Sequence, residues 1–179
     1  MTELELELTY LAKYFPEDIA TNPSEIVEDI YIPEDRDHAS LRVRRKGSNY
    51  EITKKEPVDG TDSSRQNEHT IPLVEDEYLA LARCSKKIAK KRRYYTEING
   101  YKAEIDVFQD NLAGLVLIDF EFDSDAAMRQ FTPPDICLAD VSQEAFIAGG
   151  KLAGKTYQDI QAQLETYNYQ PLFMERSTT

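Results

Sequence analysis

The stretch Glu3-Leu-Glu-Leu-Glu-Leu-Thr-Tyr10 alternates strictly between polar and apolar side chains. A period of two is typical of a β-strand, because successive side chains point to opposite faces. The three leucines and Tyr10 therefore share one face. The opposite face consists of Glu3, Glu5, Glu7 and Thr9. The strand is unusual because one of its faces is almost fully charged.

The same pattern recurs along the chain at residues 41–45 (LRVRR), 50–55 (YEITKK), 101–108 (YKAEIDVF) and 114–122 (GLVLIDFEF). Each segment pairs an apolar face with a charged or polar one. The residues sharing the second face are Arg42 with Arg44, Thr53 with Lys55, Glu104 with Asp106, and Asp119 with Glu121. Residues 87–95 (KIAKKRRYY) are basic on both faces. Periodicity therefore does not choose between Lys90 with Arg92 and Lys91 with Arg93 as the inward pair.

Further strands are predicted at residues 25–32 and 65–71, with hairpin turns at 46–49 and at Asn99-Gly100. Helices are predicted at 75–83, 124–131, 142–152 and 156–166, with Gly149-Gly150 and Gly154 as interruptions. About eight strands with a few helices predict an α+β fold, built on an antiparallel sheet or a barrel. If the apolar faces of a barrel pack outward against helices and loops, the charged faces line its lumen.

Composition limits the class of protein. The 179 residues suit one domain, here 1–179, and include 33 acidic and 21 basic residues for a net charge of -12. This acid excess argues against nucleic acid as a partner. Neither a membrane span nor a signal peptide is recognisable, so we expect no membrane partner and a cytoplasmic location. Cys84 and Cys137 lack the spacing of a zinc site or a disulfide framework.

The charged faces suggest phosphoryl chemistry. Carboxylates two residues apart on a strand converge on one side, where their oxygens suit Mg²⁺ or Mn²⁺. Arginine pairs offer forked donors that match phosphate oxygens, and lysines add positive charge. A solvated sheet with ordinary cross-strand ion pairs has the same pattern, so the residues alone leave both interpretations open.

The order and spacing of these segments resemble the CYTH superfamily, also called triphosphate tunnel metalloenzymes. That superfamily includes inorganic triphosphatases, thiamine triphosphatases and class IV adenylate cyclases. The resemblance runs from about residue 3 to residue 155 as an ordered series of motifs. In chain order these are Glu5-Leu-Glu7-Leu-Thr9 in the place of ExExK, Leu41-Arg42-Val-Arg44 like RxR, Ile52-Thr-Lys-Lys55 like LTxK, Glu68 like the acid of the next strand, Ile88-Ala-Lys90-Lys-Arg92 like IxKxR, Glu104-Ile-Asp106-Val-Phe108 like ExDxF, and Gly114-Leu to Asp119-Phe-Glu121 like GLxxxExE.

The resemblance implies an eight-stranded antiparallel β-barrel, the triphosphate tunnel, with flanking helices and a C-terminal helix and tail at 156–179. It implies Mg²⁺ or Mn²⁺ held by Glu5, Glu7, Asp119 and Glu121. It implies triphosphate bound by Arg42, Arg44, Lys55, Lys90 and Arg92. The residues expected to take part in catalysis are Glu5, Glu7, Lys55 and Arg92. Supporting roles fall to Glu68, Glu104 and Asp106.

The activity implied is metal-dependent hydrolysis of inorganic triphosphate or a related small-molecule triphosphate, by a monomer or homodimer. The alternatives are a class IV adenylate cyclase and a non-catalytic protein that binds polyphosphate or nucleotide. Three departures from the family pattern bear on this choice. Thr9 replaces the signature lysine, Asp119 shortens one carboxylate, and residues 141–153 (VSQEAFIAGGKLA) lack the usual acidic-tyrosine-asparagine sequence.

Overall fold

The computed structural model describes residues 2–174, with the side chains of residues 4–174. The end of the predicted C-terminal tail, residues 175–179, lies outside the described part. The strands are β1 (Thr2–Ala12), β2 (Ser24–Ile32), β3 (Leu41–Lys46), β4 (Asn49–Pro57), β5 (Arg65–Leu73), β6 (Ile88–Ile98), β7 (Tyr101–Phe108), β8 (Val116–Glu121) and β9 (Cys137–Asp140). The helices are α1 (Glu75–Ala82), α2 (Asp125–Gln130), α3 (Gly149–Leu152) and α4 (Tyr157–Glu165).

Eight strands form a closed antiparallel barrel in the order β5-β4-β3-β2-β6-β7-β8-β1, and β5 pairs with β1 to complete the ring. This confirms the predicted α+β fold with its eight-stranded barrel. The short strand β9 was not predicted. It pairs with the last residues of β1, beyond the stretch that β5 covers.

The apolar faces of the strands point outward, as predicted. Leu6 and Tyr10 of β1 and Ile118 and Phe120 of β8 are buried in one outer cluster with residues of α2. Phe131, which follows α2, brings its ring to 4.7 Å from the ring of Phe120. Helix α1 covers β3 and β4 in a similar way, through the buried Tyr78. Because these two apolar clusters lie outside the barrel wall, most of the lumen is available to charged side chains.

The predicted turns are present. Asn99 and Gly100 both have positive φ, 53° and 83°, the conformation that a two-residue hairpin loop requires. Ser124 caps α2 by accepting a hydrogen bond from the Ala127 amide. Thr156 and Asp159 form a capping box at the start of α4. Local chemistry therefore determines where these elements begin and end.

The helix predicted at 142–152, with Gly149-Gly150 as an interruption, is present only as two short pieces. The structure has a 3₁₀ turn at Ala145–Ile147 and only the single turn of α3. The backbone at Ala148 (φ -55°, ψ 133°) is not helical and separates the 3₁₀ turn from α3, which begins at the two glycines. We call residues 141–153 the plug segment, because they cover one mouth of the barrel. No helix in the described part of the chain is long and apolar enough to cross a membrane.

Candidate active site

The barrel encloses a cavity of about 980 Å³, and every one of its eight strands contributes a charged side chain to the cavity lining. All the site residues predicted from sequence line it except Lys90 and Arg92. The charged lining residues of the strands are Glu5, Glu7, Asp29, Arg42, Arg44, Lys46, Glu51, Lys55, Glu56, Glu68, Lys91, Arg93, Glu104, Asp106, Asp119 and Glu121. Acids outnumber bases in this lining.

The placement of Lys90 and Arg92 in the lumen was wrong by one residue. Lys90 extends outward, 3.6 Å from the Asp110 carboxylate, and Arg92 Nη1 donates to Ser24 Oγ at 3.2 Å. Lys91 and Arg93 line the cavity instead. The reason is the neighbouring strand β7, whose inward-facing carboxylates recruit the bases at 91 and 93.

Two bidentate ion pairs join neighbouring strands on the inner face of the barrel. Arg44 donates from Nε and Nη2 to Asp29 at 2.6 and 2.9 Å, and Arg93 donates likewise to Asp106 at 2.7 and 2.7 Å. Burial would raise the pKa of each aspartate. For Asp29, the positive charges of Arg44 and Arg42 outweigh burial and hold its pKa well below the usual range. The pKa of Asp106 is likewise lowered, so both acids stay ionised.

Lys91 is a third base in this inner region and contacts the Asp106 carboxylate. Burial lowers its pKa, and the nearby Arg93 guanidinium lowers it further. The negative charges of Asp106 and Asp29 oppose this shift without cancelling it. Lys91 is thus a desolvated base, held in the lumen by acids on two neighbouring strands.

The predicted metal-binding carboxylates come from two paired strands. Glu7 lies directly opposite Glu121, and Thr9 directly opposite Asp119. Burial raises the pKa of Glu121, and the charges of Glu7 and Glu5 raise it further. Burial and the Glu7 charge also raise the pKa of Asp119. Like charges placed across a sheet repel each other, so this group of acids favours a cation between them.

Lys55 lies beside the acids of the outer lumen. Its ammonium contacts Glu5 and lies 3.5 Å from a Glu68 oxygen. Although burial lowers the pKa of Lys55, the carboxylates of Glu7 and Glu5 raise it more. Burial leaves the pKa of Glu5 raised despite the opposing charge of Lys55. Lys55 therefore remains protonated and is the ion-pair partner of the Glu5 carboxylate.

No three His, Cys, Asp or Glu side chains among the described residues converge closely enough to chelate a metal ion. Glu5 is directed to Lys55, and Glu104 to Arg93. Thr9, in the position of the family lysine, donates its hydroxyl hydrogen to Asp119 Oδ1 at 2.8 Å. The predicted ligands therefore share one wall of the lumen, where each acid has a protein partner or an acid opposite it.

Arg42 differs from the other lumen arginines in lacking a close partner. Its Nε is buried and has no hydrogen-bond acceptor among the described residues. The nearest acidic oxygens, on Glu68 and Asp29, lie 3.6 and 3.9 Å from the guanidinium, and its Nη1 donates a long bond of 3.4 Å to the Tyr31 hydroxyl. A buried guanidinium with unused donors is suited to binding an anion.

Sequence reasoning missed several lumen residues, of which Asp29 is the most informative. Asp29 shares one face of β2 with Glu25, Val27 and Tyr31, so this acid lies between an apolar and an aromatic residue. Such an acid needs a buried partner, and that requirement was a usable signal. Lys46, Glu51, Lys91 and Arg93 were also missed.

Together, the closed barrel and its ion-paired lumen define a tunnel protein whose functional surface is the inside of the sheet. Over 131 residues, the chain is 30% identical to a curated protein of Nitrosomonas europaea named inorganic triphosphatase, covering 73% of this chain and 83% of that protein. The crystal structure of an inorganic triphosphatase matches with a TM-score of 0.62 at 24% identity, covering 83% of this chain and 93% of the other. A conserved hypothetical protein from Pyrococcus furiosus matches with a TM-score of 0.51 at 20% identity, covering 70% and 82%.

No family model matches the sequence. The identity to the Nitrosomonas europaea protein nevertheless extends over most of both chains, and the solved structures share the fold. The chain belongs to the CYTH superfamily of triphosphate tunnel metalloenzymes.

Proposed function

We propose that this protein hydrolyses inorganic triphosphate, or a closely related triphosphate compound, inside the barrel. The observation that carries the proposal is the buried guanidinium of Arg42, which faces a charged lumen with unused donors. The 30% identical relative named inorganic triphosphatase supports the same activity. The two free thiols, Cys84 and Cys137, are consistent with the reducing cytoplasm as its location.

The basic side chains of the lumen would bind the phosphate chain. Arg42 offers an Nε donor that no group in residues 4–174 accepts from, and Lys55 can exchange its contact with Glu5 for a phosphate oxygen. Lys91 and Arg93 take the substrate-binding roles first assigned to Lys90 and Arg92, because only the former pair lines the cavity. These bases neutralise charge on the phosphate oxygens in both the ground state and the transition state.

The acids on β1 and β8 have the donor chemistry that a hard divalent cation prefers. Glu5, Glu7, Asp119 and Glu121 offer only oxygen donors, which Mg²⁺ and Mn²⁺ prefer. The raised pKa of Glu5 and of Glu121 reflects burial and mutual repulsion that a bound cation would relieve. When bound, such a cation polarises the phosphoryl group and lowers the pKa of a water molecule.

In the proposed hydrolysis, a water oxygen forms a bond to a terminal phosphorus, and the bridging P–O bond to the rest of the chain breaks. Diphosphate and phosphate leave, and the water protons pass to the products or to solvent. The chain's own residues bind and orient the substrate. Arg42 and Lys55 do so from one side of the lumen, and Lys91 and Arg93 do so from the other.

The test is phosphate release from tripolyphosphate and from ATP with Mg²⁺ or Mn²⁺, with cyclic AMP measured in the same reactions. We expect phosphate release from tripolyphosphate that stops when EDTA is added. Cyclic AMP formed from ATP without phosphate release would instead identify a cyclase. Tight binding of tripolyphosphate without turnover would identify a non-catalytic binding protein, and either result would overturn the proposal.

A further inference from the structure

One mouth of the barrel is closed by an apolar floor. At that end the last inward-facing residue of each of five strands is apolar or aromatic, and all five belong to one buried cluster. They are Leu11, Tyr31, Ala89, Phe108 and Leu117. Val141, Ile147 and Leu152 of the plug segment pack in the same cluster, and Leu152 is fully buried. Helix α4 supports the floor from behind through Ile160 and Leu164.

The charged section of the lumen begins directly above this floor. On each of these five strands, the next inward-facing residue away from the floor is polar or charged. These positions are Thr9, Asp29, Lys91, Asp106 and Asp119. The next inward residues on β1 and β8, Glu7 and Glu121, lie closer to the open end. The four residue steps from Thr9 to Glu5, along a strand tilted to the barrel axis, give the charged section an axial depth of roughly 10 Å.

Two glycines allow the plug segment to seat this closely. A Cβ atom at residue 149 would lie 2.0 Å from the Tyr31 hydroxyl oxygen, and one at residue 150 would lie 2.1 Å from the Ala39 carbonyl oxygen. Any other residue at 150 would require the backbone of the plug segment or of Ala39 to move, whereas at 149 either the Tyr31 side chain or the segment would have to shift. The segment is also tied to β1, because the Val141 amide donates to the Thr9 carbonyl at 2.9 Å.

From this geometry we infer that the plug segment limits the length of the polyphosphate that the lumen accepts, with Gly149 and Gly150 as the residues that set the limit. The inference rests on the proposed function. A chain enters by the open mouth, and its leading phosphate stops at the apolar floor, where the side chains of Leu11, Ala89 and Phe108 offer phosphate oxygens no donor. A short chain can place all its phosphates among the lumen bases, whereas a long chain cannot thread through.

The experiment compares hydrolysis of tripolyphosphate, tetrapolyphosphate and long-chain polyphosphate by the full chain and three variants. Gly150→Ala places a Cβ against the Ala39 backbone and so displaces the plug segment, and Leu152→Ala trims the floor without adding an atom. Lys151→Ala is the matched control, since its partner Asp37 is an exposed surface residue on the loop outside the barrel. Binding of each polyphosphate is measured by calorimetry alongside turnover, and folding is checked by circular dichroism.

We expect the wild type and Lys151→Ala to favour tripolyphosphate over the long chain. In at least one folded plug variant, the ratio of kcat/KM for the long chain to that for tripolyphosphate should rise about tenfold, as changes in pocket shape produce. The inference is overturned if the wild type uses long chains as well as tripolyphosphate. It is also overturned if the ratio stays constant in folded Gly150→Ala and Leu152→Ala. If the wild-type protein binds short chains more tightly than long chains but hydrolyses neither, the proposed function is overturned and the inference about chain length is not.

Discussion

Arg93 lies directly opposite Asp106 on the neighbouring strand and donates two hydrogen bonds of 2.7 Å to its carboxylate. Both side chains are buried, and Asp106 is fully inaccessible to solvent. This pair determines which face of β6 points into the lumen. It therefore decides that Lys91, two residues earlier on the strand, is a lumen base and that Lys90 is not.

Exchanging Lys91 for Met tests this assignment. A lost charge-assisted contact to phosphate is worth about 1.5–3 kcal/mol, so kcat/KM for tripolyphosphate should fall roughly ten- to a hundredfold. Lys90→Met, one position away on the outer face, should leave kcat/KM within about twofold of the wild type. Steady-state kinetics measures both variants. Equal losses in the two would contradict the orientation of β6.

Arg42→Ala removes the lumen guanidinium with unused donors. Because Arg42 would bind phosphate in the ground state and the transition state alike, we expect KM to rise about tenfold or more with a smaller change in kcat. The control is Arg45→Ala, three residues along the same strand, whose half-exposed side chain lies 3.5 Å from Glu28. A KM increase in the control of the same size would argue against a specific role for Arg42.

Glu5→Gln keeps the size of the side chain and removes its charge. We expect metal-dependent turnover to be lost, because an amide is a weaker ligand for Mg²⁺ or Mn²⁺ than a carboxylate. The fold should persist, since the amide oxygen still accepts a hydrogen bond from Lys55. Glu97→Gln, an exposed site near the outer end of β6, is the control. Full activity of Glu5→Gln, measured by phosphate release, would remove Glu5 from the ligand group.

Stability of the metal-free protein should fall as pH rises. Burial raises the pKa of Glu5, Glu104 and Glu121, so the folded state binds protons more tightly than the unfolded chain. The resulting stabilisation is complete below the ordinary glutamate pKa of about 4.3 and is lost as pH rises through the raised values. We expect Tm in EDTA to decrease from about pH 5 to about pH 8.

Added Mg²⁺ or Mn²⁺ should reduce this slope, because a bound cation replaces the protons of the acids. Asp29 and Asp106 have lowered pKa values, so their contribution is present above the ordinary aspartate pKa of about 3.9 and is lost only at lower pH. They therefore do not offset the decrease at higher pH. Thermal unfolding followed by circular dichroism checks the result. A Tm that rises with pH in EDTA would contradict the expected sign.

Arg44→Met should weaken the fold as well as the site. It leaves the Asp29 carboxylate buried beside the longer contact from Arg42, and breaking one partner of a buried ion pair costs about 3–5 kcal/mol. The double variant Arg44→Met with Asp29→Leu removes both charges and should recover most of that loss. Urea unfolding measures the free energies. A double variant no more stable than the single one would show that the pair is not the source of the effect.

Much of the barrel could be predicted from local sequence. The alternation of residues 3–10 and of the later strands has a period that only an extended chain satisfies, and Asn99-Gly100 fits only a tight hairpin. The plug segment could not be predicted in the same way. Its seat depends on the Tyr31 hydroxyl and the Ala39 carbonyl, which lie more than a hundred residues away in the chain.

The sequence by itself determined which residues share each charged strand face, because each face follows from alternation within a few residues. Tertiary structure alone decided which of the two basic faces of β6 points into the lumen. Alternation is symmetric between Lys90 with Arg92 and Lys91 with Arg93, and only the buried carboxylate of Asp106 on the adjacent strand breaks that symmetry. The closed barrel floor has the same origin, since it forms only where five strand ends and the plug segment meet.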